Sequence, residues 1–136
     1  MSQFTLLDAS AILAFLQAEP GDDVVRQALH DGTCVVSAAN HSEVIAKAID
    51  RGANAQALQA ILAELAYAIV DVKAEDGTQA GLMRDTTRKI GLSLGDRLCL
   101  ATAQRLQARV LTADRLWLTV AKALRIDVQC IRPGSH

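Results

Sequence analysis

The stretch FTLLDASAILAFLQ, residues 4–17, holds the reading on which the fold turns. Its first four residues form a short, apolar, β-rich run that ends on a carboxylate, Asp8, and from residue 10 the apolar positions recur at helical spacing. Runs of the same kind occupy residues 33–36, 68–72, 109–112 and 127–131, each leading into a polar or small residue, and they read as strands buried on both faces. Segments 22–30, 39–51, 54–66, 76–90, 95–107 and 115–124 carry helical spacing. Gly52 and Gly91 suit helix ends, while Asn40 with Glu43, and Asp114, suit helix starts. Strands alternating with helices imply an α/β fold: a parallel five-stranded sheet, helices on both faces, right-handed crossovers.

Composition narrows the function classes. With 136 residues, 51% of them hydrophobic, the chain has material for one domain with an ample core and is not a disordered segment. Fourteen basic and fifteen acidic side chains leave a formal charge of -1, which excludes a polybasic binder that grips nucleic acid by bulk charge. Two Phe, one Tyr and one Trp are too few for a base-stacking platform. Charges interrupt every apolar stretch short of a membrane span and the first residues lack a basic leader, so a cytoplasmic, membrane-free protein is expected. Cys34, Cys99 and Cys130 are widely spaced among apolar neighbours and read as reduced thiols rather than a zinc site. The small net charge conceals an asymmetry, because residues 1–80 hold 4 basic and 11 acidic side chains while residues 81–136 hold 10 and 4. No Pro/Gly/Ser-rich linker separates the halves, so one domain is expected over residues 1–132, with residues 133–136 as a short tail.

In a parallel sheet the ligand site lies beyond the carboxyl ends of the strands. That rule selects Asp8, directly after the first strand, and Asp114, two residues after the run at 109–112. Glu43 and Asp96 open helices that face the same edge. Each acid also has an ordinary explanation, since a carboxylate at a helix start accepts free N–H groups and favours the dipole. Asn40-x-x-Glu43 reads as a capping box in that sense. Asp96 fits least well, because helical spacing puts it on one face with Cys99, Leu100 and Ala103. Four gathered carboxylates raise one another's pKa and call for a counter-charge. All-oxygen ligation suits Mg²⁺ or Mn²⁺, and the chemistry this points to is phosphodiester hydrolysis.

Four segments carry a family resemblance: FTLLDASAILAFL (4–16), SAANHSEV (37–44), SLGDRLCLATA (93–103) and VLTADRLW (110–117). Together they resemble, in order and over nearly the whole chain, the motifs of PIN-domain nucleases, and most nearly the VapC-like toxins of bacterial toxin–antitoxin pairs. The resemblance implies a three-layer α/β/α PIN-like fold, an endoribonuclease activity, and an acidic Mg²⁺ or Mn²⁺ site formed by Asp8, Glu43, Asp96 and Asp114. It further implies hydrogen-bonding support from Ser10 and Thr112, a homodimer, and inhibition by a cognate antitoxin. Some relatives carry one more acid beyond the position of Asp114, whereas Arg115, Leu116, Trp117 and Leu118 stand here, so a second metal would be held less firmly.

If RNA is the substrate, the basic half should supply phosphate contacts, with Arg84, Arg88 and Lys89 on one helix and Arg97 and Arg115 next to proposed ligands. His41 reads as a surface or capping residue, and Trp117 as core or dimer packing. Two other classes compete with the nuclease. One is a phospho-acceptor of receiver or haloacid-dehalogenase type, which lacks here an acid two residues after Asp8; the other is a catalytically inert binding module on the same fold.

Overall fold

The computed structural model describes residues 3–134. Ser135 and His136, the end of the expected tail, lie outside the described residues. Five strands, β1 (Thr5–Leu7), β2 (Cys34–Ser37), β3 (Tyr67–Val70), β4 (Arg109–Thr112) and β5 (Val128–Cys130), pair entirely in parallel in the order β3-β2-β1-β4-β5. The chain thus winds outward from β1 in both directions, which makes β1 the switch point of the sheet, and it is beyond the carboxyl ends of the strands at such a point that parallel sheets bind ligands. Leu6 pairs with Val35 and Val110, and Leu7 with Leu111, so alternate residues feed opposite faces.

Leu7, Val36 and Leu111 join a core under α1 (Ala9–Leu16), α2 (Asp22–His30), α3 (Ala38–Asp50) and α4 (Ala55–Glu64), packed on Ile12, Val25, Val44 and Leu62. Leu6, Val35 and Val110 face α5 (Ala74–Leu82), α7 (Leu94–Leu106) and α8 (Leu118–Leu124), with Leu100 and Trp117 fully buried there. The result is the expected three-layer α/β/α sandwich. Trp117 is therefore core packing. The three cysteines are free, Cys34 and Cys99 buried and Cys130 partly so. No described helix is long and apolar enough to cross a membrane.

Three sequence expectations need correcting. β1 and β2 are buried on both faces, but β3 and β5 are the sheet edges and are partly exposed, Ile69 by 51%. The helix expected over 76–90 is two: α5 ends at Leu82, and α6 (Arg84–Thr87) follows at once, with the Thr87 hydroxyl donating to the Met83 carbonyl. The helix expected over 115–124 is likewise a 3₁₀ turn (Arg115–Trp117) running into α8.

A buried ion pair outside the strands ties the acidic half of the chain to the basic half. Asp76, 1% exposed, accepts Nε and Nη2 of Arg105 at 2.9 and 3.0 Å and the Lys73 backbone N–H at 2.9 Å. Burial alone would push this carboxyl up, but the Arg105 hydrogen bonds, the Lys73 N–H and the two positive charges outweigh it and hold it below its ordinary 3.8.

Candidate active site at the carboxyl edge

Asp8 sits where β1 ends and caps α1, accepting the Ala11 N–H at 2.8 Å, so one residue terminates the strand and starts the helix. It is 3% exposed and surrounded by hydroxyls. Ser10 Oγ donates to both carboxylate oxygens, at 2.8 and 2.9 Å, and Thr112 Oγ1 donates to Oδ2 at 2.7 Å. Each hydroxyl in turn accepts a backbone N–H from the end of β4: Ala113 N to Ser10 Oγ at 2.9 Å, and Asp114 N to Thr112 Oγ1 at 3.0 Å. Asp8 is therefore locked to the chain that carries Asp114 through two hydroxyl relays. Burial pushes its carboxyl up to about 6, against the pull of the Thr112, Ala11 and Ser10 donors, and the nearby charge of Asp96 adds to the rise.

Glu43 lies in the second turn of α3. The start of that helix differs from the sequence expectation: the N-cap is Ser37, whose Oγ accepts the Asn40 N–H at 3.1 Å, and Asn40 is not the cap but a buried residue, 1% exposed. Its amide donates to Glu43 Oε1 at 2.6 Å and to the Gly95 carbonyl at 3.3 Å, reaching across to α7. Sequence reasoning missed Asn40 as a partner of the acid and Gly95 as its neighbour; the signal was the Ser37-x-x-Asn40 spacing, one helical turn earlier than the box it had identified.

Asp96 is the third residue of α7 and closes a capping box with Ser93: its Oδ2 accepts Ser93 N at 3.0 Å, while Ser93 Oγ accepts Asp96 N at 3.1 Å. The acid that had seemed least suited to a capping role thus fills one. Asp114 caps the 3₁₀ turn, with Oδ1 accepting Leu116 N at 2.9 Å. Asp96 Oδ1, Asp114 Oδ2 and Glu43 Oε2 accept no hydrogen bond among the described residues. Cys99, on α7 and fully buried, reports the grouping: its thiol is pushed well up, first by burial and then by the charges of Asp8, Asp96 and Glu43.

The fold therefore brings Asp8, Glu43 and Asp96 within electrostatic reach of one thiol, while the Asp114 carboxyl turns back onto its own turn. Among the described residues no three His, Cys, Asp or Glu side chains stand close enough together to hold a metal ion without adjustment.

The basic candidates divide. Arg84, Arg88 and Lys89 are exposed at α6 and just after it, with Arg88 paired to Asp85 at 3.3 Å. Arg97 instead donates to the Ala80 carbonyl at 2.9 Å, and Arg115 to the Pro133 carbonyl at 2.6 Å. His41 Nδ1 lies 3.2 Å from the Tyr67 hydroxyl.

The family model of the PIN domain matches residues 5–123. Among solved structures, a FitAcB crystal structure from Neisseria gonorrhoeae is similar over 94% of this chain and 98% of that one, at 19% identity and a TM-score of 0.71. FitAB bound to an IR36 DNA fragment is similar over 98% and 99%, at 22% identity and a TM-score of 0.70. VapBC-1 from nontypeable Haemophilus influenzae is similar over 95% and 98%, at 20% identity and a TM-score of 0.69. No curated protein sequence matches the chain. At such identities the structural likeness speaks for the fold, and the family match spans most of the sequence, site motifs included: the chain belongs to the PIN domain family.

Proposed function

We propose that the protein is a Mg²⁺- or Mn²⁺-dependent endoribonuclease and acts as the toxin of a toxin–antitoxin pair, with Asp8, Glu43, Asp96 and Asp114 as metal-binding and catalytic residues. The observation that supports the reading is that Asp8 and Asp114 directly follow β1 and β4, while Glu43 and Asp96 lie in the opening turns of α3 and α7, with Asp8, Glu43 and Asp96 all close enough to act on the Cys99 thiol.

The donors fit a hard divalent cation. All are oxygens, and three of the acids keep one carboxylate oxygen free while the other is held by the protein. When bound, such an ion supplies a water of lowered pKa and charge neutralisation at the phosphate. The chain's own part is to aim the ligands. Ser10 and Thr112 fix Asp8 to the end of β4, Asn40 holds Glu43, and Ser93 fixes Asp96 at the start of α7. Phosphate contacts fall first to Arg84, Arg88 and Lys89, since Arg97 and Arg115 already donate to backbone carbonyls.

The FitAcB, FitAB and VapBC-1 structures are similar along nearly their whole length, and a structure similar to this chain at a TM-score of 0.63 is described as a toxin–antitoxin complex from Klebsiella pneumoniae. The Klebsiella pneumoniae description supports a cognate antitoxin as partner; a homodimeric toxin and a cytoplasmic site of action belong to the same proposal. The test is cleavage of total cellular RNA by purified protein with Mn²⁺, with chelator, and with Asp96→Asn. Cleavage that requires metal and is lost in the variant supports the reading; undiminished cleavage in either control refutes it. Absence of any Mn²⁺-induced rise in melting temperature would favour an inert binding module instead.

A further inference from the structure

We propose that Asn40 and Gly95 together form the seat of the Glu43 carboxylate, Asn40 as a positioning donor from α3 and Gly95 as the space left for it in the first turn of α7. This rests on the reading of Glu43 as a metal-site residue.

Three observations converge on it. First, Asn40 is buried to 1% exposure, and a buried amide must be satisfied on both ends. Its Oδ1 accepts Ser37 Oγ at 3.0 Å, while its Nδ2 faces the Gly95 carbonyl at 3.3 Å and Glu43 Oε1 at 2.6 Å. A carbonyl only accepts, so the atom facing Gly95 must be the NH₂, and the orientation of the amide is fixed by its partners rather than by choice. Second, of the two bonds the amide donates, the one to Glu43, at 2.6 Å, is much the shorter. Third, a Cβ on Gly95 would stand 2.7 Å from Glu43 Cδ and 2.8 Å from Oε2, so any side chain there would push the Glu43 carboxylate out of this position. Glycine here admits the carboxylate through a close approach and not through a special backbone conformation, where a helix otherwise favours alanine.

The seat gives Glu43 a defined place. A glutamate has three rotatable bonds, and on an exposed helix face its carboxylate would sample many positions. The amide holds one oxygen, the gap at Gly95 admits the carboxylate, and Oε2 accepts no hydrogen bond among the described residues. Because Asn40 also binds the Gly95 carbonyl, the same side chain sets the spacing between α3 and α7, and hence between Glu43 and Asp96 one residue further on. Supporting partners of metal-ligating carboxylates are worth about 10- to 100-fold in metal affinity or activity.

The experiment is Mn²⁺ binding by isothermal titration and by electron paramagnetic resonance, on the wild type, Asn40→Ala, Gly95→Ala, Glu43→Gln and the Asn40→Ala/Glu43→Gln double variant, with RNA cleavage in parallel. Asn40→Ala and Gly95→Ala are expected to weaken Mn²⁺ binding about 10- to 100-fold, and the double variant to bind no more weakly than Glu43→Gln alone, because Asn40 acts through Glu43. Gly95→Ala keeps the test open should Asn40→Ala fold poorly, since it perturbs the seat from the other helix without emptying the core. Unchanged Mn²⁺ affinity in the single variants, or additive losses in the double variant, would overturn the seat and leave the nuclease reading standing. A wild-type protein that binds no Mn²⁺ would overturn the nuclease reading and with it the purpose assigned to the seat.

Discussion

Replacing Asp8 by asparagine should make the metal-free protein more stable at neutral pH. The Asp8 carboxyl, 3% exposed, titrates near 6 in place of 3.8, and at ~1.4 kcal/mol per pH unit the ionised form is disfavoured in the fold by about 3 kcal/mol. Asparagine removes the charge and keeps the shape. It does not keep the whole hydrogen-bond pattern, because the Ser10 and Thr112 hydroxyls already accept the Ala113 and Asp114 N–H groups and are poor acceptors for a new amide. That mismatch costs about 1–2 kcal/mol, leaving a net gain of about 1–2 kcal/mol and a rise in Tm of about 3–8 °C for a domain of this size.

The sign has a pH signature. Between 3.8 and about 6 the folded wild type binds more protons at Asp8 than the unfolded chain, so its stability falls as pH rises through that window and the deficit is complete above it. The advantage of Asp8→Asn should therefore be full at pH 7.5 and gone at pH 4, in thermal melts with chelator present. Adding Mn²⁺ should reverse the order, stabilising the wild type and not the variant. An equal gain at both pH values, or none at pH 7.5, would refute the account of a destabilised carboxylate kept for function.

Two further predictions test the scaffold and the substrate face. Arg105→Ala leaves the Asp76 carboxylate without its cation and should cost about 3–5 kcal/mol in urea unfolding; because the wild-type carboxyl is held below 3.8, its contribution is present above that value and lost on acidification below it, so the variant should show a weaker dependence on acid below 3.8. Arg84→Gln/Arg88→Gln should weaken RNA binding without altering Mn²⁺ affinity and should lower the slope of log K against log salt by about 1 for each lost phosphate contact; an unchanged slope would move the RNA path elsewhere.

What the sequence determined by itself was whatever depends on local periodicity and on the end of each strand. Five apolar runs alternating with amphipathic segments specify parallel strands and crossover helices, and the rule that sites gather at strand ends singled out Asp8 and Asp114, to which Glu43 and Asp96 were added as acids at helix starts facing the same edge. The resemblance of four short segments then named the family that the match over residues 5–123 shows. What only the tertiary structure decided depends on contacts between residues remote in the chain. Edge or centre is one such property: residues 67–70 look as apolar as 34–37, but only β2 has neighbours on both sides. The break after Leu82 is another, since helical spacing runs on through Met83 and only packing divides α5 from α6. Asn40 is the clearest case. Sequence spacing made it a helix cap, because a buried amide and an exposed one look alike in a string of residues; its role beside Glu43 exists only once α7 brings the Gly95 carbonyl across a separation of 55 residues.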